Sequence, residues 1–188
     1  MFKKVKWPAG TLIAPVPAVL VSCGDINDKS NVFTVAWTGI INSTPAKTYI
    51  SVRKERFSYD IIKKSGEFVL NLTTRDLVKA ADFCGVRSGK NIDKFKEMNL
   101  TRQEASEVKC PLVGESPISI ECRVTDVVEL GTHDMFVADI LCVNVAENLI
   151  DEKGKLNLDR ANLIAYSHGE YFALGEKLGK FGYTVKKS

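Results

Sequence analysis

Two segments in the second half of the chain distribute apolar residues as β-strands do. In ISIECRV, residues 118–124, apolar side chains occupy every second position, with Ser119, Glu121 and Arg123 between them. This period of two predicts a strand with one face towards solvent. The segment MFVADILCVNV, residues 135–145, is almost continuously apolar and β-branched, which predicts a central strand covered on both faces. The chain is therefore restricted to folds built around a β-sheet.

Four shorter segments have the same strand-like composition and are separated by turns rich in Gly, Pro, Asn and Asp. They span residues 18–22, 31–38, 48–53 and 68–72. Many short strands with few helices are typical of a mainly β fold, a closed or split β-barrel, because closure hides sheet edges. The sequence contains no repeat or linker, so we expect one domain over residues 1–188.

Three short helices are predicted between these strands. Ser58 is the expected N-cap of a helix that ends at Gly66. Residues 73–76 resemble a capping box, with Asp in place of Glu, for a helix that closes at Gly85. A third helical turn is expected around residues 93–98.

The distribution of charge argues against a nucleic-acid binder. The net charge is +3, but five lysines lie in terminal tails that contain no acidic residue: Lys3, Lys4, Lys6, Lys186 and Lys187. Without them, 21 basic residues face 23 acidic ones. A nucleic-acid-binding domain normally presents a basic face, and this composition does not supply one.

Apolar runs are too short for a membrane span. The longest covers residues 13–21 and is interrupted by Pro15 and Pro17, whereas a span needs roughly 18 apolar residues. The N-terminus has lysines but no apolar core of signal-peptide length. We therefore expect a cytoplasmic protein that does not enter a membrane.

Several catalytic and redox signatures are missing. The sequence lacks GxGxxG, GxxxxGK[ST], GxSxG and HExxH motifs, which argues against a Rossmann site, a P-loop, a hydrolytic triad or a zinc protease. No CxxC pair occurs among the odd number of cysteines, so reduced, buried thiols are expected. They are Cys23, Cys84, Cys110, Cys122 and Cys142. Cys84 lies beside Gly85 at a predicted helix end and is retained as a candidate for a redox role.

The strand NVFTVAWTGI, residues 31–40, is the first candidate for a binding surface. Alternation places Thr34, Ala36 and Thr38 on one face and Phe33, Val35 and Trp37 on the other. The small, hydroxylated face could receive a flat ligand, or it could be an ordinary threonine-rich face towards solvent.

The segment SVRKERFS, residues 51–58, combines cations with a helix start. Arg53, Lys54 and Arg56 precede Ser58, and a guanidinium, a hydroxyl and free helical N–H groups suit a phosphate dianion. The alternative is a solvated loop with a capping serine.

The remaining candidates lie in three later segments. The loop DFCGVRSGKNIDKF, residues 82–95, is rich in Gly and basic residues, although Lys94 could form an ordinary surface ion pair with Asp93. His133 lies in a GTHD turn, where Asp134 could simply accept its hydrogen bond. Tyr166 and His168 precede a glycine, and each lone histidine has both a structural and a chemical interpretation.

These motifs, in this order, resemble the flavin reductase-like family of FMN-binding split barrels, most closely its flavoredoxin branch. The resemblance extends over nearly the whole chain. It is carried by NVFTVAWTG (31–39), ISVRKERFSYDII (50–62), SGEFVLNL (65–72), DFCGVRSGKNIDKF (82–95), GTHDMF (131–136) and YSHGEYFALGEKLGKFG (166–182). Asn99 stands where this family usually has Gly, and Asn also tolerates a left-handed backbone.

The resemblance implies a homodimer of Greek-key split barrels with FMN near the dimer interface. It places the flavin against Asn31, Thr34, Ala36, Trp37 and Thr38. It places the ribityl chain and phosphate against Ser51, Arg53, Arg56 and Ser58. It places Lys94, His133, Tyr166 and His168 near the ring. Lys94 or His133 would then stabilise the negative charge of reduced flavin.

Three functions follow from the resemblance and remain open at this point. The first is an NAD(P)H-dependent flavin reductase-like oxidoreductase that takes electrons from NADH or NADPH and passes them through FMN. The second is a flavoredoxin-type carrier that holds FMN tightly and exchanges electrons with redox partner proteins. The third is a non-redox binding module on a barrel that has lost its flavin.

Overall fold

The computed structural model describes residues 1–185, so Lys186 and Lys187 lie outside the described residues. Within that range the chain forms eleven strands and three α-helices. The strands are β1 (Val19–Gly24), β2 (Ser30–Val35), β3 (Thr38–Ser43), β4 (Ala46–Arg53), β5 (Glu67–Leu72), β6 (Arg102–Gln103), β7 (Leu112–Val113), β8 (Ile118–Glu129), β9 (His133–Val145), β10 (Ile164–Ser167) and β11 (Glu170–Ala173). The helices are α1 (Phe57–Ser65), α2 (Val78–Val86) and α3 (Lys94–Glu97).

Seven strands form one antiparallel sheet in the order β2-β1-β5-β8-β9-β4-β3, which confirms the mainly β prediction. Val21, Ile50, Phe68 and Phe136 come from four different strands and meet, fully buried, in one core cluster. The sheet must curl for these strands to share a core. Its two edge strands, β2 and β3, are consecutive in the chain and separated by only residues 36–37.

The predicted strand over residues 31–38 is interrupted at those two residues. Before these residues the chain, as β2, pairs with β1. After them, as β3, it pairs with β4, where Thr38 lies opposite Ile50. The predicted alternation therefore ends at Val35. Phe33 and Val35 lie together in the main core cluster, but Trp37, which was predicted for the same face, is 42% exposed.

The expectation that one face of the strand over residues 118–124 is open to solvent holds at Arg123 and is wrong for the rest of that face. Ser119 and Glu121 are buried, because residues 102–113 fold back across this face. The Glu121 carboxylate accepts hydrogen bonds from the backbone N–H groups of residues 106, 107 and 108. A sequence pattern shows a polar face but not the chain segment that covers it.

Strand β9 is central in its pairing, as predicted, but it is not covered on both faces along its length. It lies between β8 and β4. No residue of its second half, from Asp139 to Val145, is fully buried, and Val143 is 50% exposed. Within residues 1–185, no core cluster packs against that valine.

Helix boundaries agree with the predictions better than the caps do. Helix α1 ends at Gly66 in a left-handed conformation, as expected, but its N-cap is Arg56, and Ser58 lies buried in the first turn. The expected capping box at residues 73–76 is wrong, because the 3₁₀ turn (Arg75–Leu77) that precedes α2 has Thr74 as its N-cap and no side-chain cap hydrogen bond. The third prediction is confirmed, since Asp93 caps α3 through the N–H of Lys96. Asn99 has the left-handed backbone anticipated for it, with φ of 52°.

None of the helices within residues 1–185 has the length and apolar character needed to cross a bilayer.

Candidate functional site

An open cleft runs between the β2–β3 junction, the start of α1 and the end of α2. It consists of two adjoining cavities of about 470 and 370 Å³. They share a wall formed by Phe33, Thr34, Arg53, Arg56, Gly85 and Val86. We name the larger cavity the aromatic end, which is lined by Trp37, His133, Tyr166 and Tyr171. We name the smaller cavity the basic end, which is lined by Asn31, Ser58, Arg87 and Lys94.

All but two of the residues predicted for the site line this cleft. Those that line it are Asn31, Thr34, Ala36, Trp37, Ser51, Arg53, Arg56, Ser58, Lys94, His133 and Tyr166. Thr38 does not, because its hydroxyl donates to the carbonyl of Tyr49 on β4. His168 lies at the turn between β10 and β11 and lines a separate small cavity beside Tyr166.

The aromatic end is built around a contact between Trp37 and His133. Their ring centroids are 4.7 Å apart and the planes are inclined by 36°. The Trp37 carbonyl accepts a hydrogen bond from the Ser51 N–H at 2.9 Å, which fixes the β2–β3 junction to β4. His133 starts β9 directly opposite Arg53. These contacts present a wall of two aromatic rings, tilted against each other, to the cleft.

His133 is a neutral group in this environment. Burial and the neighbouring Arg53 lower the pKa of its imidazole, so the ring is uncharged at neutral pH. Its Nδ1 lies 2.9 Å from the hydroxyl oxygen of Thr132. The structural interpretation of the turn, in which Asp134 binds His133, is wrong, because Asp134 accepts its hydrogen bond from Tyr59.

The basic end surrounds the start of α1. The Arg56 guanidinium donates to the carbonyl of Gly85 at 3.1 Å, which holds it between α1 and α2. Asn31 Nδ2 donates to Ser58 Oγ at 2.8 Å, so β2 is joined to the first turn of the helix. In the first turn of this nine-residue helix the N–H of Tyr59 donates to the Arg56 carbonyl at 2.9 Å, whereas the N–H groups of Phe57 and Ser58 have no backbone acceptor among residues 1–185. This combination is suited to an anion.

Lys94 is the most unusual residue of the basic end. Its side chain is only 3% exposed, and Nζ donates to the carbonyl of Cys84 at 2.9 Å. The interpretation as a surface ion pair with Asp93 is wrong, because that carboxylate binds Arg102 at 2.7 Å. Burial lowers the pKa of Lys94 to about 8. In the described part of the chain Lys94 is in no ion pair, so its charge favours an anionic ligand.

Two buried cysteines belong to this region: Cys84 is among the residues that line the basic end, and Cys23 is not. Burial raises the pKa of Cys84 to about 11 and that of Cys23 to about 12. Both thiols are therefore protonated at neutral pH and are poor nucleophiles. Cys84 contributes its backbone carbonyl to the position of Lys94, which is a structural role.

Some residues of the cleft were not singled out from the sequence. Arg87, Gly89 and Tyr171 all line it. The first two lie inside the basic loop over residues 82–95, so the segment was recognised but not its individual contributors. Tyr171 reaches the cleft only because β10 and β11 form a hairpin over it, with the two tyrosine rings 5.5 Å apart. No sequence pattern indicated that placement.

A curled antiparallel sheet with such a cleft at its open seam defines the class of split-barrel flavin proteins. The chain belongs to the flavin reductase-like family, because the model of the flavin reductase like domain matches residues 12–175. This confirms the resemblance drawn from the sequence motifs.

Individual proteins support the same placement. The structure of a flavoredoxin of Desulfovibrio vulgaris (Miyazaki F) has 32% identity and a TM-score of 0.90, covering 98% of this chain and 100% of that one. A flavoredoxin from Methanosarcina acetivorans has 25% identity and a TM-score of 0.86, with the same coverage. An uncharacterised protein of Archaeoglobus fulgidus is 33% identical over 130 residues, or 69% of this chain and 73% of that protein.

Proposed function

We propose that the protein binds FMN in this cleft and passes electrons through it as an NAD(P)H-dependent flavin reductase-like oxidoreductase. The observation that carries the proposal is the pairing of an aromatic wall with a buried ammonium group in one continuous cleft. A flat ring system and a phosphate dianion need those two environments at opposite ends.

The residues present fit such a cofactor. At the basic end, Lys94, Arg56 and the first-turn N–H groups of α1 form a donor set suited to a phosphate. Next to them, a Cβ at Gly89 would lie 2.1 Å from Asn31 Oδ1. The backbone therefore approaches the polar side chains more closely there than any other residue type would allow.

Each part of the cleft has a separate task in this proposal. Bound FMN supplies hydride acceptance and electron transfer. Arg56, Ser58 and Lys94 hold the phosphate and the ribityl chain, together with Arg53 and Ser51. Trp37, His133 and Tyr166 hold the ring. Because Lys94 and His133 line different ends, His133 is the better candidate for tuning the ring, as an uncharged hydrogen-bonding group.

A second candidate function is supported by a specific similarity. Two solved structures described as flavoredoxins match this chain over 98% of its length. On that ground, a flavoredoxin-type carrier that exchanges electrons with a partner protein, without direct use of NADH or NADPH, is the alternative. Both functions use the same cleft and the same cofactor.

Anaerobic reduction distinguishes the two functions. The protein is loaded with FMN and mixed with NADH and, separately, with NADPH, while the flavin absorbance is followed. We expect bleaching within seconds with at least one nucleotide. Persistent colour with both nucleotides, followed by rapid bleaching with a reduced ferredoxin, would establish the carrier instead. Protein that remains colourless after FMN addition and gel filtration would contradict both.

We also propose that the chain acts as a homodimer. Several large apolar side chains are exposed on the isolated chain, including Trp7, Ile13, Ile40 and Ile41. Ile40 and Ile41 lie on the edge strand β3, next to the aromatic end. A second copy over this region would cover apolar surface beside the cleft.

Replacing Gly89 by Ala is expected to weaken FMN binding by about tenfold, equivalent to the loss of one net hydrogen bond. The new methyl group would displace Asn31 and break its 2.8 Å bond to Ser58. Fluorescence quenching of FMN measures the affinity. Gly10→Ala is the control, because nothing lies within 4 Å of that position. Equal affinities in the two variants would show that the Asn31–Ser58 contact does not support the site.

A further inference from the structure

Asp134 is a buried carboxylate that does not line the cleft. It is 1% exposed. Its Oδ2 accepts a hydrogen bond from the Tyr59 hydroxyl at 2.5 Å, and its Oδ1 lies 3.4 Å from Lys54 Nζ. The hydrogen bond lowers the pKa of Asp134 and raises that of Tyr59. At neutral pH the pair is therefore a carboxylate and a protonated phenol.

Each of these three residues is the immediate chain neighbour of a residue that lines the cleft. Asp134 follows His133, Tyr59 follows Ser58, and Lys54 follows Arg53. His133 and Asp134 both belong to β9, where successive side chains point to opposite faces. In the other two pairs the residues are joined by one peptide bond, so a contact made by one also restrains the backbone of the other. The carboxylate thus joins the ends of β4 and β9 to the first turn of α1.

Further contacts hold the tyrosine of this junction in place. Tyr59 packs edge-on against Phe136, with ring centroids 5.4 Å apart, and its hydroxyl also lies 3.4 Å from Lys63 Nζ. Removing one partner of a buried hydrogen bond leaves the other with an uncompensated polar group. Strands β4 and β9 and the first turn of α1 would then lose the contact that connects them.

We propose that Asp134 is a positioning residue of the flavin site, which holds His133, Arg53 and Ser58 in their relative places through Tyr59 and Lys54. The inference rests on the proposed function for its ligand, because it names the residues that organise the FMN cleft. Asp134 itself touches no part of that cleft. Its effect on binding is therefore indirect.

The test compares Asp134→Asn with Glu121→Gln. Glu121 is an equally buried carboxylate, but it accepts hydrogen bonds from the backbone of residues 106–108 and from Asn144 Nδ2, and it lines neither cavity of the cleft. Both changes keep the side-chain volume and remove one buried charge. Two quantities are measured: the FMN dissociation constant, and the ring resonances of His133 in FMN-free protein. His168 is the internal reference, because the chain contains only two histidines.

We expect Asp134→Asn to raise the dissociation constant by about tenfold, equivalent to roughly 1.4 kcal/mol, and to shift the His133 resonances. Glu121→Gln is expected to lower the unfolding temperature without either effect. Tyr59→Phe, which removes one hydroxyl, should show the same two changes at smaller size, and it decides the matter if Asp134→Asn does not fold.

Two results would overturn the inference. One is wild-type affinity and unshifted His133 resonances in the folded variants. The other is an equal loss of affinity in Glu121→Gln, which would indicate general destabilisation. Failure of the wild-type protein to bind FMN would contradict the proposed function instead, while the His133 resonances would still report on the positioning role.

Discussion

Lys94→Met is expected to weaken FMN binding by about 10- to 100-fold, because a hydrogen bond to a charged group contributes roughly 1.5–3 kcal/mol. Lys94 is buried at the basic end and is in no ion pair within residues 1–185. Its charge is costly to bury without a partner, so the FMN-free variant should be at least as stable as the wild type. Loss of affinity would then not reflect unfolding. Isothermal titration with FMN measures the change.

The same residue predicts how FMN affinity depends on pH. Because burial lowers the pKa of Lys94 to about 8, its ammonium form is complete well below that pH and is lost as the pH rises through it. Wild-type affinity should fall by about tenfold between about pH 7 and pH 9, whereas Lys94→Met should lack this phase. Lys96→Met is the control, since that lysine is exposed on the same helix. A pH-independent wild-type affinity would remove Lys94 from the phosphate site.

Phe136→Ala is expected to lower the free energy of unfolding by about 3–5 kcal/mol, the usual cost of removing a buried aromatic ring. Phe136 is fully buried in the main core cluster, where it contacts Tyr59. For a chain of this size the unfolding temperature should fall by about 6–20 °C. Urea denaturation monitored by circular dichroism provides the measurement.

Phe172→Ala is the matched control for this loss. That ring is 48% exposed on the separate β10–β11 hairpin, so we expect a change of about 0.5 kcal/mol. Similar losses in the two variants would mean that the curled sheet does not enclose the principal core. The comparison therefore tests the architecture as well as one side chain.

The strands could be predicted from the sequence because their signal is local. Alternation over residues 118–124 and the apolar run over 135–145 depend only on neighbouring positions, and both segments are strands. The junction at residues 36–37 was missed for the opposite reason. Its cause is a change of partner from β1 to β4, and a pairing between distant segments leaves no mark in the alternation.

The candidate site shows the same division. The basic segments were recognised by composition, because guanidinium groups and a helix start are visible in a short window of sequence. The burial of Lys94 was not recognised, because it depends on how α2 and α3 pack and on the carbonyl of Cys84, ten residues earlier. Asp134 was assigned to the wrong partner, because Tyr59 lies 75 positions away in the chain.

The two-residue link between β2 and β3 affects how a ligand would reach the cleft. The sheet's first and last strands are held together at this point by covalent chain, while β2 and β3 each pair with one strand only among the described residues. A ligand can therefore enter or leave at the seam without breaking any backbone hydrogen bond between paired strands. We therefore expect substitutions in the cleft wall at this seam to change ligand affinity without removing a hydrogen bond between paired strands.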